Sequence, residues 1–324
     1  MTARAGCSHC GSTRREPSDA ADCADARIAA IASRLGRYGE TCVRCLECGF
    51  IDVERGWPGS GTALAAAGAR RLLRRAAREA AYRAWRFDRD RRIRAFHDHH
   101  RGKSCFVIGN GPSLKSMDLQ RLNSRYVFGV NHIYLLFDRM RLDLSYHVVT
   151  DPRAVQVALP QLRAQAWPTF VGWDAGHQYL SDCSHVHFLR MLPSPSGRRV
   201  TDQVLFNRDI TRGMWDGGTV TYAALQLAFY MGFETVYLIG IEPTTRDEAE
   251  GPGLSPPMAH FDDRYPGFRR GPDSLAMEIA YRLAKYAYRS SGRRILDATV
   301  NSRLGVFETV SYEDALAASS PRES

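Results

Sequence analysis

The residues able to do chemistry gather at a few places in this 324-residue chain. The run Cys105-Phe106-Val107-Ile108 is apolar and β-prone, and it ends in Gly109-Asn110-Gly111-Pro112-Ser113. A strand that stops in small residues and restarts as a helix presents backbone N–H groups, the way many α/β domains hold phosphate. Gly109 and Gly111 remove two Cβ atoms where a ligand has to come close. Pro112 suits a first helical turn, and Asn110 and Ser113 add side-chain partners for a phosphate or sugar. The spacing is neither a Walker A loop nor the usual dinucleotide fingerprint, and no lysine follows at the P-loop position. A P-loop ATPase is therefore disfavoured. A second glycine pair, Gly217-Gly218, precedes Thr219 at another predicted helix start.

Acid–base groups stand elsewhere. His260 lies in a Gly/Pro-rich stretch beside Asp262, Asp263 and Tyr265. A neutral histidine there can take the proton of an acceptor hydroxyl, and a carboxylate nearby can fix its tautomer. His132, after Asn131, is a second candidate. His147 reads as structural, and His97, His99 and His100 read as exposed linker residues. Asp151 and Glu242 are each predicted to follow a strand, where they can accept from ribose hydroxyls or hold Mg²⁺ between substrate phosphates. Asp143 is a weaker member of that set. Arg198, Arg199, Arg208 and Arg212 offer a clamp for pyrophosphate or a carboxylated sugar.

Six of the eight cysteines fall in the first 48 residues. Cys7-Ser-His-Cys10-Gly and Cys45-Leu-Glu-Cys48-Gly resemble two knuckles of a zinc ribbon, with Cys7, Cys10, Cys45 and Cys48 as the ligand set and structural zinc as the implied ion. Reduced thiols and an iron–sulfur cluster are the alternatives. Cys105 and Cys183 read as ordinary thiols.

The elements that must position these groups divide the chain into segments. Residues 1–60 form a cysteine-rich appendix and linker. Residues 61–101 are rich in Ala, Arg and Leu and read as a basic helix. Residues 102–316 alternate short apolar runs with helical stretches, and 317–324 read as a disordered tail. Strands are expected at 104–108, 126–130, 145–150, 168–172, 185–189, 235–241 and 294–298, with helices near 113–122, 154–166, 218–231 and 273–290. This alternation predicts a Rossmann-like α/β fold, a mostly parallel sheet flanked by helices, with ligands beyond the carboxyl ends of the strands. The long irregular stretches 193–217 and 242–272 are expected to cover the site.

The formal net charge of +9 is concentrated in residues 70–103, with 13 Arg or Lys against 4 Asp or Glu. That segment suits an anionic acceptor or a membrane face. No nucleic-acid motif accompanies it. The sequence has neither an apolar run long enough to span a bilayer nor the core of a signal peptide, so a cytoplasmic protein, peripheral at most to the inner membrane face, is expected.

Ile108-Gly-Asn-Gly-Pro-Ser-Leu-Lys115 resembles the first motif of the bacterial sialyltransferases that build lipooligosaccharide sialosides. It is equally similar to the proteins known as 6-hydroxymethylpterin diphosphokinase-like. Val127-Phe-Gly-Val-Asn131, the segment from Leu142 to Asp151-Pro152, and the stretch from Gly217 to Glu242 resemble the following motifs in order, over roughly residues 103–300. The superfamily usually carries Asp where this chain has Glu242. The resemblance implies a nucleotide-binding sheet. In the sialyltransferase branch it implies a cytidine-monophosphate sugar between the Gly-Asn-Gly loop and the later helix start. His260 would then be base, with a tyrosine such as Tyr222 near the leaving phosphate and no catalytic metal. The expected activity is sugar transfer from a nucleotide-activated donor to a glycan or protein acceptor. The alternatives are a Mg²⁺-dependent diphosphokinase acting on a hydroxymethylpterin-like alcohol, and a non-enzymatic nucleotide-sensing module.

Overall fold

A computed structural model describes residues 15–17, 40–45, 51–55, 92–192, 205–242, 260–265 and 274–323. The chain divides into two compact units, Met1–Trp85 and Arg86–Ser324. The division falls inside the segment read from sequence as one basic helix.

In the first unit, β1 (Arg15–Pro17), β2 (Glu40–Cys45) and β3 (Ile51–Arg55) form a small antiparallel sheet in that order. Cys7, Cys10 and Cys48 lie outside the described residues, and of Cys45 only its place at the end of β2 is described.

The second unit is built on eight strands: β4 (Ser104–Ile108), β5 (Val127–Val130), β6 (Tyr146–Val149), β7 (Thr169–Gly172), β8 (Val186–Leu189), β11 (Thr235–Ile239), β12 (Arg294–Asp297) and β13 (Glu308–Thr309). They order as β13-β12-β11-β4-β5-β6-β7-β8, and every pairing is parallel. The chain starts in the middle at β4, runs outward through β8, then returns to the other side of β4 with β11. The crevice beyond β4 and β11 is thus the place where the winding reverses, the usual ligand position in such sheets. A second small pairing joins β9 (Met191–Leu192) to β10 (Met214–Trp215).

Parallel strands buried on both faces need apolar residues at every position, and β4 is Ser-Cys-Phe-Val-Ile, all buried. Its alternation splits two cores. Cys105 and Val107 join Phe128, Val236 and Leu238 on one face, while Phe106 and Ile108 join Val127, Tyr237 and Ile239 on the other. The first face is covered by α3 (Val220–Tyr230) and α4 (Ser274–Arg289), which follow α1 (Pro152–Ala164) and α2 (Trp173–Leu180) in the chain. Of α3, the ten residues Thr221–Tyr230 are all buried, which explains its lack of a polar stripe. The second face is covered by short turns and by α5 (Tyr312–Ala318).

Three expectations change. The single helix near 113–122 is two 3₁₀ turns, Pro112–Ser116 and Leu119–Leu122. Met117 between them is extended, and the Asp118 side chain accepts from Gln120 N–H, restarting the turn. His100 is not an exposed linker residue. It is buried, its Nε2 lies 2.6 Å from the Tyr146 hydroxyl, and burial lowers its pKa to about 4. Residues 317–323 are not a loose tail. Ser320 and Ser104 exchange backbone-to-hydroxyl hydrogen bonds of 2.7 and 3.2 Å, Arg322 N–H donates to the Ser124 carbonyl at 2.8 Å, and Lys103 meets Glu323 at 2.6 Å.

Candidate functional site

The Gly-Asn-Gly loop is shaped first by the protein itself. Gly109 N–H donates to the Ile239 carbonyl at 2.8 Å, and Gly111 N–H donates to Gly240 at 2.9 Å. A Cβ on Gly109 would lie 2.2 Å from the Gly240 oxygen, and one on Gly111 would lie 2.8 Å from it. Neither glycine is among those with positive φ. Both glycines are therefore needed so that the exits of β4 and β11 can touch. Ser113 N–H, expected to face phosphate, donates to Glu242 Oε1 at 2.9 Å. The chain's own carboxylate sits at that turn.

Asn110 bridges to the next strand, with Nδ2 donating to the Val130 carbonyl at 3.0 Å. Its Oδ1 is buried and has no partner among the described residues. Asn131 follows β5 with φ +49°, a left-handed conformation that asparagine tolerates. His147, buried inside β6, secures it. Gln165 donates to His147 Nδ1 at 3.0 Å, so His147 Nε2–H donates to the Asn131 carbonyl at 2.7 Å. Asn131 Oδ1 is likewise buried and unpaired among the described residues.

The strip 260–265 lies over these two strand ends. Phe261 N–H donates to the Asn110 carbonyl at 2.9 Å. The His260 ring stacks on Tyr265 with centroids 3.6 Å apart and planes 21° apart. Tyr265 meets His132 edge-on at 4.9 Å, and Asn131 Nδ2 makes a long 3.5 Å contact with its hydroxyl. His132 is wholly buried, its Nδ1 is 2.8 Å from the Tyr134 hydroxyl, and Nε2 is unpaired among the described residues.

Electrostatics keeps both histidines neutral. Burial lowers the His260 pKa, and a hydrogen bond to the Asn110 backbone partly opposes it. Burial lowers His132 to about 4, helped by His147 and His260 and opposed by Asp151. Asp151 is the N-cap of α1, accepting from Arg153 and Ala154 N–H at 2.8 and 3.0 Å. Its charge also reaches Asp216, whose carboxyl is raised first by the surrounding protein and then by Asp151. The Asp216 residue as a whole is exposed. It precedes Gly217 and Gly218, both left-handed, and Thr219, which caps α3 through Thr221 N–H at 3.3 Å.

The structure thus brings together Asn110, Asn131, His132, Asp151 and His260 from the sequence reading. It adds Tyr265 as the stacking partner, and Asp216. The spacing His260-Phe-Asp-Asp-Arg-Tyr265 held the signal for Tyr265; nothing in the sequence paired Asp216 with Asp151.

Other expected residues lie apart. Tyr222 is a core residue whose hydroxyl donates to the Leu205 carbonyl at 3.0 Å, because the first turn of α3 points it inward. Arg208 donates to Ser290 at 2.6 Å and lies over Phe229, toward the amino ends of the strands. Arg212 is exposed and pairs with Asp209 at 3.4 Å. Asp143 donates its backbone N–H to Asn123 Oδ1 before β6, at the amino end of the sheet. Arg198 and Arg199 lie outside the described residues. Asp262 does not orient His260, since both of its oxygens accept from arginines. Among the described residues, no group of three or more His, Cys, Asp or Glu converges as a metal site. A Mg²⁺ here would have to be held by substrate phosphates with one or two carboxylates. No described helix is long and apolar enough to cross a membrane.

No protein-family model matches the chain, and no curated protein does. Among solved structures it is similar to the sialyltransferase CstII from Campylobacter jejuni in complex with the substrate analogue cytidine-5'-monophosphate. The identity is 15%, over 65% of this chain and 86% of that one, with a TM-score of 0.40. The CMP-3FNeuAc complex of the same enzyme matches at 15% identity over 64% and 85%, with a TM-score of 0.36. A likeness at this level assigns no residue a role.

Proposed function

We propose that the chain is a transferase that binds a nucleotide-activated sugar at the carboxyl ends of β4, β5 and β6, with His260 as base. The observation that carries this reading is the convergence of a neutral, stacked His260 with two asparagine residues whose side-chain oxygens lack partners among the described residues. Asn110 Oδ1 and Asn131 Oδ1 are acceptors, so they select ligand groups that donate, such as ribose hydroxyls or a base amino group. Leaving such acceptors unpaired costs about 1–3 kcal/mol each, which ligand binding would recover. His260 can accept a proton because burial keeps it deprotonated. The leaving phosphate would meet Ser113 only by displacing Glu242. A CMP-sialic-acid-like donor fits the motif order, and a glycan or protein acceptor would meet the basic segment 70–103, at the membrane face if the protein works there. Structural zinc at Cys7, Cys10, Cys45 and Cys48 belongs to this reading as well.

A thermal-shift panel with CMP-, UDP- and GDP-sugars, each with and without Mg²⁺, is the direct test. A true donor stabilises by about 2.7 kcal/mol at a hundred times its Kd. No shift with any of them, together with no transfer or donor hydrolysis, defeats the reading.

One observation favours Mg²⁺-dependent diphosphate transfer instead. Burial raises the Asp216 carboxyl first and the Asp151 charge adds to it, and a divalent ion bridging to phosphate would relieve this. Activity with ATP that vanishes in EDTA would support that reading over sugar transfer.

A further inference from the structure

The strip 260–265 has no helix or strand of its own, yet it presents both rings of the stacked pair. Its anchor is a cluster built on Asp262, whose side chain is only 1% exposed. Arg264 grips that carboxylate at both oxygens, Nε to Oδ1 and Nη2 to Oδ2, each 3.0 Å. Arg264 N–H adds a bond to Oδ1 at 2.9 Å. Arg139, from the segment after β5, reaches Oδ2 at 3.0 Å. Arg264 then ties the strip outward, to Asp138 at 2.6 Å and to the Leu135 carbonyl at 3.1 Å.

We propose that Asp262 is a positioning residue, whose buried carboxylate clamped by Arg139 and Arg264 holds the strip so that His260 and Tyr265 stay over the ends of β4 and β5. This rests on reading His260 as the working base. A lone buried carboxylate is costly, but here two carboxylates meet two guanidiniums and the charges cancel. The bidentate geometry also sets the direction of the chain, which a single ammonium could not do. The arginines are about half exposed, so the cluster faces water on one side and shields only Asp262. Arg139 and Asp138 stand beyond β5, so the cluster joins the strip to the element that carries Asn131 and His132. Its carboxylate is held at about 2, chiefly by the Arg264 hydrogen bonds, so the clamp persists through the physiological range. Among the described residues, the groups facing His260 are Tyr265, His132 and the Asn110 backbone; Asp262 is not one of them.

The test is a histidine-ring NMR titration on the full chain and on Asp262→Asn, Arg264→Gln and Asp138→Asn. Asp262→Asn and Arg264→Gln should free the strip and move the His260 midpoint up toward 6.5, the value of an unburied imidazole. Asp138→Asn, which removes only the exposed outer pair, should leave it in place. In transfer assays the first two should lose at least tenfold in kcat with the donor KM nearly unchanged. An unchanged His260 midpoint in both would overturn the proposal. Should a variant fail to fold, hydrogen exchange in the unmodified chain decides. Protection of Phe261 N–H comparable with Gly111 N–H supports the clamp, and free-peptide exchange overturns it. A shifted midpoint with no activity on any nucleotide sugar would defeat the transferase reading and leave the clamp standing.

Discussion

Gly109→Ala separates two reasons for a glycine in the Gly-Asn-Gly loop. If the residue is small so that a ligand can approach, alanine weakens nucleotide binding and leaves the fold intact. The structure assigns the space to β11 instead. The new Cβ would sit 2.2 Å from the Gly240 oxygen, 2.5 Å from Ile241 Cδ1 and 2.9 Å from the Gly240 carbonyl carbon. Two of these are backbone atoms, which cannot rotate away. Relief requires the β4 and β11 exits to part by about 1 Å. Overpacking of this kind costs about 1–3 kcal/mol. The parting also strains the Gly109–Ile239 and Gly111–Gly240 hydrogen bonds, each contributing about 0.5–1.5 kcal/mol. The expected loss is about 3–5 kcal/mol, or roughly 6–20 °C in Tm for a domain of this size. Thermal unfolding followed by circular dichroism, without ligand, reads this directly. A Tm within about 2 °C of the parent would refute the packing argument. It would do so most sharply if nucleotide affinity fell in the same variant.

Three further outcomes follow from the same geometry. His260→Ala should lower transfer by about 10²–10⁴-fold while nucleotide binding survives. In the parent, the acidic limb of the rate profile should lie below pH 6.5, because burial lowers the His260 pKa; a limb above that value would exclude His260 as base. His100, His132 and His147 are buried and lowered from 6.5 to about 4, so the unfolded chain binds more protons than the native one between those values. Stability should therefore fall as pH drops through that window, by about 2 kcal/mol per histidine at pH 5, and urea midpoints that stay flat from pH 7.5 to 5 would contradict it. Ending the chain at Ala318 removes the Ser319, Ser320, Pro321 and Arg322 contacts at the amino ends of β4 and β5. It should cost about 2–4 kcal/mol, at about 0.5–1.5 kcal/mol per hydrogen bond, with the exposed Lys103–Glu323 pair adding little. An unchanged urea midpoint would show the end to be dispensable.

What the sequence determined by itself was the sheet. Seven of its strands were legible because buried parallel strands are continuous apolar runs bounded by turns, a local pattern. The two-residue β13 carries no such run and was missed. The short helix α2, Trp173–Leu180, was missed too, since Gly176 and three aromatic or His residues weaken its local signal. Gly109, Asn110, Asn131 and His260 stand out in the sequence as candidates because strand ends and irregular loops reveal themselves by composition. What each one touches is a matter of long-range contact, and only the tertiary structure decides it. Asp262 looked like a partner for His260 until Arg139, far away in sequence, was seen to share Arg264's hold on it. Tyr222 looked like a cleft residue until its helix turned it into the core. The glycines of the first loop looked like room for a ligand. Residue type says that space is left at such a position, but what fills it depends on which strand folds alongside, and here that strand is β11.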